Sequence, residues 1–425
     1  MHINRMKISV IMFLCIFFIG CDSRQTLESH EQSKGTAMDS IKEAGTEFTR
    51  EELLQDYNQL WEDLEESYPF FSVLTQRGID IPALKEYYRS LLTGRITDLE
   101  GFAVLLNNLF YDMDNLAHLS LMDAEFYYEL LKLSEEERLG YTEEPWRSLL
   151  WNGQTRVSYA LLRSEEETKE PVEILYPEVT MDYYEDLQVV YFKIPSFNHL
   201  LLKRDGDLIR EYLEEHEDAK HVIFDIRGNR GGSDYYWEEN LAAPFGGEYK
   251  WNRRLVLKES PLAEIFFLNK LSGELSGFVK AEEIDGVPES VTEMGMTYMG
   301  VLNDVYPGEL DGKKEAVADL QNVKRWVLID EAVYSAADNF AGFCKESGWA
   351  VLVGTQTGGG ASGTGPVAFA LKNTGLLIRF SITSYLREDK TLSAVEGIKA
   401  DIICKSGESP LDACFRAISA NNENW

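Results

Sequence analysis

Apolar positions change their period along the chain. From residue 49 they fall at helical spacing: Leu53, Tyr57, Leu60, Trp61, Leu64 and Tyr68 form one stripe. Thr49 and Glu52 open it with capping-box spacing, and Pro69 closes it. Helical patterns follow over 81–92 and 98–113, so 49–122 reads as a small helical domain. Residues 123–187 are mixed, charge-rich and broken by Gly140, Pro145, Pro171 and Pro177, which predicts a connecting subdomain with some strands. From 188 short apolar runs appear: VVYF at 189–192, VIF at 222–224, WVLI at 326–329 and AVLV at 350–353. They alternate with helical patterns at 200–215, 234–241 and 336–346, which predicts an α/β core at 188–425 whose sheet is covered on both faces. A less regular segment, about 246–322, reads as an insertion, and GLLIRFSITSYL at 375–386 as a further strand.

The first 48 residues follow neither pattern. Arg5 and Lys7 precede an apolar run at 8–20, shorter than the ~20 residues a spanning helix needs and suited to a secretory signal. The run ends Phe18-Ile19-Gly20-Cys21, which resembles a bacterial lipobox. That resemblance implies a signal peptide at 1–20, acylation of Cys21 and an extracytoplasmic protein lipid-anchored to a bacterial membrane. Residues 21–48 hold almost no large apolar side chain and predict a flexible tether.

Composition narrows the partners. The 425 residues carry 41 Lys+Arg against 72 Asp+Glu, a net charge of −31. Losing Arg5 and Lys7 with the signal makes the mature form more acidic still. A nucleic-acid partner needs a basic footprint, so none is expected, nor is docking flat on anionic lipid. Of the five cysteines, Cys15 leaves with the signal and Cys21 takes the lipid. Cys344, Cys404 and Cys414 lack metal-ligand spacing, leaving at most one disulfide and no expected metal or cofactor.

One serine stands where chemistry is favoured. Ser335 opens a helical pattern directly after the buried run ending at Asp330, which exposes its hydroxyl and aims the following backbone N–H groups, with the positive helix end, at an incoming oxyanion. The plain alternative is a helix N-cap. The run DIRGNRGGS at 225–233 lets backbone approach a ligand, and it lacks the Gly-Lys-Ser/Thr ending of a phosphate loop, so an oxyanion donor fits better. The G-x-G-x-x-G match at 358–363 is followed by a strand pattern, PVAF at 366–369, which excludes a dinucleotide site. Among the histidines, His2 leaves with the signal, His30 lies in the tether and His216 on an acidic face. His118, His199 and His221 remain as bases, with core packing the plain reading of His118 in LAHLSL.

Taken together, NLAHLSL, VVYFKIPSF, VIFDIRGNRGG, VLIDEAVYSAADNF, VLVGTQTGGG and VEGIKADI, in this order, resemble the tail-specific, C-terminal-processing serine peptidases. The nearer match is their tricorn-core and retinoid-binding-protein-like branch. The resemblance implies a crotonase/ClpP-like α/β core behind an N-terminal helical domain and a small mixed connector. It implies Ser335 as nucleophile, His118 as base and Glu396 as the acid polarising it, with oxyanion donors from Ala336 and from Gly231 or Gly232. The expected function is a membrane-anchored serine endopeptidase acting on peptide or protein through an acyl-enzyme. The alternative is a non-catalytic peptide- or lipid-binding lipoprotein on the same fold. Three departures stand out: Gly360 replaces the lysine of the Ser–Lys branch, Ala117 the relaying serine before the histidine, and Ala400 the closing proline. Lys345 and Lys372 are off-motif, and 123–187 is short for a PDZ domain.

Overall fold

The computed structural model describes residues 48–96, 98–135, 143–163, 177–268, 279–306 and 320–422; the expected signal and Cys21 lie outside them. In chain order the helices used below are α1 Arg50–Ser67, α2 Ile81–Arg95, α3 Leu99–Asp112, α4 Ala124–Glu135, α5 Gly153–Leu162, α6 Leu202–Glu215, α7 Ala336–Ser347 and α8 Pro410–Asn422. The strands are β1 Ser120–Leu121, β2 Thr180–Tyr184, β3 Val189–Lys193, β4 His221–Asp225, β5 Tyr249–Leu257, β6 Val279–Lys280 and β7 Tyr298–Tyr306. They continue with β8 Lys324–Ile329, β9 Val351–Gly354, β10 Val367–Ala370, β11 Leu377–Phe380, β12 Thr383–Leu386 and β13 Ile402–Ile403. Contacts gather the described residues into two units, one drawn from the ranges 1–173, 259–273 and 366–380, the other from 174–258, 274–365 and 381–425.

In the first unit the predicted stripe of α1 is buried, and the Thr49/Glu52 capping box forms on both sides. Asp80 and Asp98 cap α2 and α3 by accepting from Ala83 and Gly101 N–H. The stretch expected as a connector divides between the units. Helices α4 and α5 pack here, with Tyr127 stacked on Tyr159 at 4.2 Å, whereas β2 joins the main sheet of the second unit. A late segment also folds into this unit: β10 and β11 form a three-stranded sheet in the order β1-β11-β10. The fully buried Asp56 of α1 fixes that segment, accepting from the N–H groups of Asn373 and Thr374 at 2.8 Å each.

The second unit is built on a six-stranded sheet, order β13-β9-β8-β4-β3-β2, parallel except for β2. Successive residues of each strand feed opposite faces. Val190, Phe192, Val222, Phe224, Val327 and Leu352 meet Ile209 and Leu213 of α6 and Phe340 and Phe343 of α7. Val189, Tyr191, Ile223, Trp326, Leu328 and Val353 meet Ala413, Cys414 and Ile418 of α8. Both faces are therefore covered, the condition that the unbroken apolar runs require.

Two expectations change here. The segment near 246–322 holds the long strands β5 and β7, paired antiparallel over nine residues, in a second sheet ordered β12-β5-β7-β6. The run at 375–386 is two strands in different sheets: Ile378 pairs with Phe369, and Thr383 with Leu257. Its single alternation hides the break because Ser381 and Ile382, the residues between them, are buried like their neighbours. Cys344, Cys404 and Cys414 are free thiols. Among the described residues no helix is long and apolar enough to cross a membrane, and no group of side chains could hold a metal.

Candidate active site

Parallel strands deliver their loops to one edge, and ligands of such sheets bind outside the carboxyl ends. Three loops converge there: 226–233 after β4, 330–335 after β8 and 355–360 after β9. Asp330 Oδ1 accepts from the N–H groups of Gly228 at 3.0 Å and Ala332 at 3.1 Å, pinning the first two together. The Tyr334 N–H donates to Asn229 O at 3.1 Å, and the Ser335 N–H to Gly359 O at 3.0 Å.

Ser335 thus sits at the start of α7 with φ 58° and ψ −124°. A non-glycine residue held in this region costs on the order of 1–3 kcal/mol and persists only where its surroundings impose it. Its side chain does not cap its own helix, so the plain N-cap reading fails.

The glycine loop is shaped by buried Asn229, which donates from Nδ2 to Ile194 O at 3.0 Å and accepts from the Gly231 N–H at 2.8 Å. Gly231 stands against the Ser335 turn: at φ +97°, a Cβ there would lie 2.9 Å from both Ser335 Cβ and Ala336 N. Its N–H is committed to Asn229, whereas the exposed Gly232 offers an N–H that no described residue takes. The Ala336 N–H is also left open among the described residues. Of the two glycines expected as donors, Gly232 is the one with a proton to give.

Glu396 is exposed in the same unit, on the loop before β13. Its carboxylate accepts from Gln356 Nε2 at 3.5 Å, and its carbonyl from Arg387 at 2.6 Å. Asp338, one turn into α7 and fully buried, accepts from Thr357 Oγ1 and pairs with Arg387 at 3.4 Å. Burial pushes its carboxyl up to about 6, against the pull of Arg387. Sequence reasoning passed over Asp338, Arg387 and Asn229. Asp338 reads locally as an acid favoured in a helix's first turn, and its partners lie far along the chain.

His118 belongs to the other unit, at the end of a turn in which Asp114, Asn115, Ala117 and His118 all adopt positive φ. Four such residues in five positions are a costly conformation, of the kind that collects at functional sites. Burial, and then the charge of Arg379, lower its pKa to about 3, so the imidazole is neutral at pH 7. Ser120 Oγ donates to the His118 carbonyl at 3.0 Å. The remaining histidines serve otherwise: His221 is buried and accepts from the Trp326 indole at 3.2 Å, and His199 Nδ1 lies 3.4 Å from Ser233 Oγ. Gly360 leaves no room for a lysine, since a Cβ would run into the Tyr334 ring, and Lys345 is held by Asp401 at 2.8 Å.

A strained serine over the carboxyl ends of a parallel sheet, with the open Ala336 N–H beside it, is the arrangement that serine hydrolases require. The profile of peptidase family S41 matches residues 188–404, and the chain belongs to that family. It is accordingly a serine-type peptidase whose substrates are peptides or proteins. Solved structures share the fold. A protein from Parabacteroides merdae described as a candidate peptidase matches with TM-score 0.51 at 17% identity, over 88% of this chain and 98% of its own. Mature CPAF matches with TM-score 0.51 at 13% identity, over 87% and 96%. No curated protein matches the chain significantly.

Proposed function

We propose that this chain is an extracytoplasmic serine endopeptidase tethered to a bacterial membrane through a lipid on Cys21. Ser335 attacks the substrate carbonyl, His118 accepts the hydroxyl proton, and Glu396 stabilises the imidazolium that forms. The proton then passes to the leaving amine, and water hydrolyses the acyl-enzyme. Negative charge developing on the carbonyl oxygen is met by the N–H groups of Ala336 and Gly232. The observation that carries this reading is the backbone at Ser335, φ 58° and ψ −124°, followed directly by the open Ala336 N–H and packed against Gly231 of the glycine loop. A fluorophosphonate probe tests it. Wild type should be labelled and Ser335→Ala should not; no labelling of wild type, or equal labelling of both, overturns it. His118→Ala should abolish turnover. For the anchor, Cys21→Ser should release the protein from membranes and end incorporation of labelled fatty acid.

One observation favours the binding-protein reading on the same fold. Ala117 stands where a relaying hydroxyl is expected, and the neighbouring Ser120 hydroxyl is turned to a carbonyl. Peptide binding that persists without cleavage would support that reading.

A further inference from the structure

The buried acid three residues beyond Ser335 has no role in the steps above, yet it is bonded to three separate chain segments. Asp338 Oδ1 accepts from Thr357 Oγ1 and from the Ile398 N–H at 3.4 Å, while Arg387 approaches Oδ2 at 3.4 Å. The same Arg387 donates from its other terminal nitrogen to Glu396 O at 2.6 Å. Thr357 closes the circuit, because its N–H donates to Ile398 O at 2.9 Å and its hydroxyl accepts from the Ile398 N–H at 2.5 Å. Gly359, two residues on, takes the Ser335 N–H at 3.0 Å. A Cβ on that glycine would sit 3.1 Å from the Glu396 carbonyl carbon.

We propose that Asp338 is a positioning residue of the hydrolytic site: through Thr357, Ile398 and Arg387 it ties the loop after β9 and the loop carrying Glu396 to the first turn of the nucleophile's helix. The inference deepens the reading of Ser335 and Glu396 given above and rests on it. A carboxylate suits the task because it offers several acceptor sites to donors from three chain segments. Glu396 is exposed and has little packing of its own, so its backbone must be held by the loop. Misplacing a catalytic group by about 1 Å can cost about a hundredfold in rate.

The test compares Asp338→Asn, Arg387→Gln and the pair Thr357→Val and Thr357→Ser in the full chain. Asp338→Asn and Arg387→Gln should each lower kcat about tenfold to a hundredfold with KM within about twofold. Their combination should lose scarcely more than either alone, because both act through one clamp. Thr357→Val should behave likewise and Thr357→Ser should restore activity, which keeps the test open if Asp338→Asn fails to fold. Hydrogen exchange of residues 355–359 and 396–398, measured in a Ser335→Ala background, gives a readout independent of turnover: it should quicken in the clamp variants. Unchanged exchange, or quickened exchange with kcat unaltered, overturns the inference. A wild type without turnover or labelling overturns the peptidase reading instead, and exchange then decides the clamp alone.

Discussion

At the scale of single residues, the site is made of positions where the backbone leaves no choice of side chain. Gly231 is the sharpest case, since φ +97° and the carbonyl of Tyr334, 2.7 Å from an added Cβ, both exclude a side chain. Gly231→Ala should therefore push Ser335 and the Ala336 N–H apart and lower kcat about a hundredfold, read as the rate of fluorophosphonate labelling. His118 offers a different measurement. Its proton affinity is depressed first by burial and then by Arg379, which sits opposite Ser120 across the β1–β11 pair. Arg379→Met should raise the His118 pKa above about 3, followed by NMR titration of the ring. The sign for stability is fixed: a histidine neutral when folded and titrating near its ordinary ~6.5 when unfolded stabilises fully above that pH. That contribution is lost as pH falls toward 3, and Arg379→Met should flatten the loss. Ser335, the glycines and His118 were legible as motifs because chemistry restricts those residue types locally. Asp338 was not, because its partners lie 19, 49 and 60 residues away in the chain.

At the scale of elements, legibility follows burial. Strands β3, β4, β8 and β9 stand out as apolar runs because both faces of their sheet are covered. Strands β5 and β7 do not: YKWNRRLVL and YMGVLNDVY leave many positions exposed or half-exposed, and their pairing spans about forty residues of chain. The departure of 366–380 into the helical unit was equally hidden, since a strand's period says nothing about which sheet it will join. Asp56 makes that membership measurable. It is fully buried and accepts from Asn373 and Thr374, including the Thr374 hydroxyl at 2.7 Å. Asp56→Asn turns an acceptor into a donor facing donors and should cost about 3 kcal/mol, seen as a lower urea midpoint with an unchanged slope. A cost below ~0.5 kcal/mol would mean that the segment is held by its β1–β11–β10 pairing alone.

At the scale of the whole molecule, the acid excess bears on stability as well as on partners. With a net charge of −31, some carboxylates lie where burial penalises their ionised form. Glu238 is the clearest: burial, the charge of Asp234 and that of Asp304 outweigh Arg253 and push it up to about 8. Asp338 is raised to about 6, and Asp234 and Glu346 are raised as well, each chiefly by burial. A carboxyl whose folded pKa exceeds its unfolded value stabilises fully below the unfolded pKa, and the contribution disappears as pH rises through the folded one. For Glu238 the window runs from 4.5 to about 8. Asp225 works in the opposite sense: burial would raise it, yet hydrogen bonds from Arg227 and Tyr191 hold it low, so its contribution fades only in strong acid. Glu238→Gln, which keeps shape and removes the titration, should match wild type near pH 4.5. It should then gain on wild type steadily up to pH 8, by roughly 5 °C in Tm, and hold that margin above. A difference in Tm independent of pH across this range would show that the Glu238 carboxyl titrates alike in the folded and unfolded protein, and would overturn the upward shift.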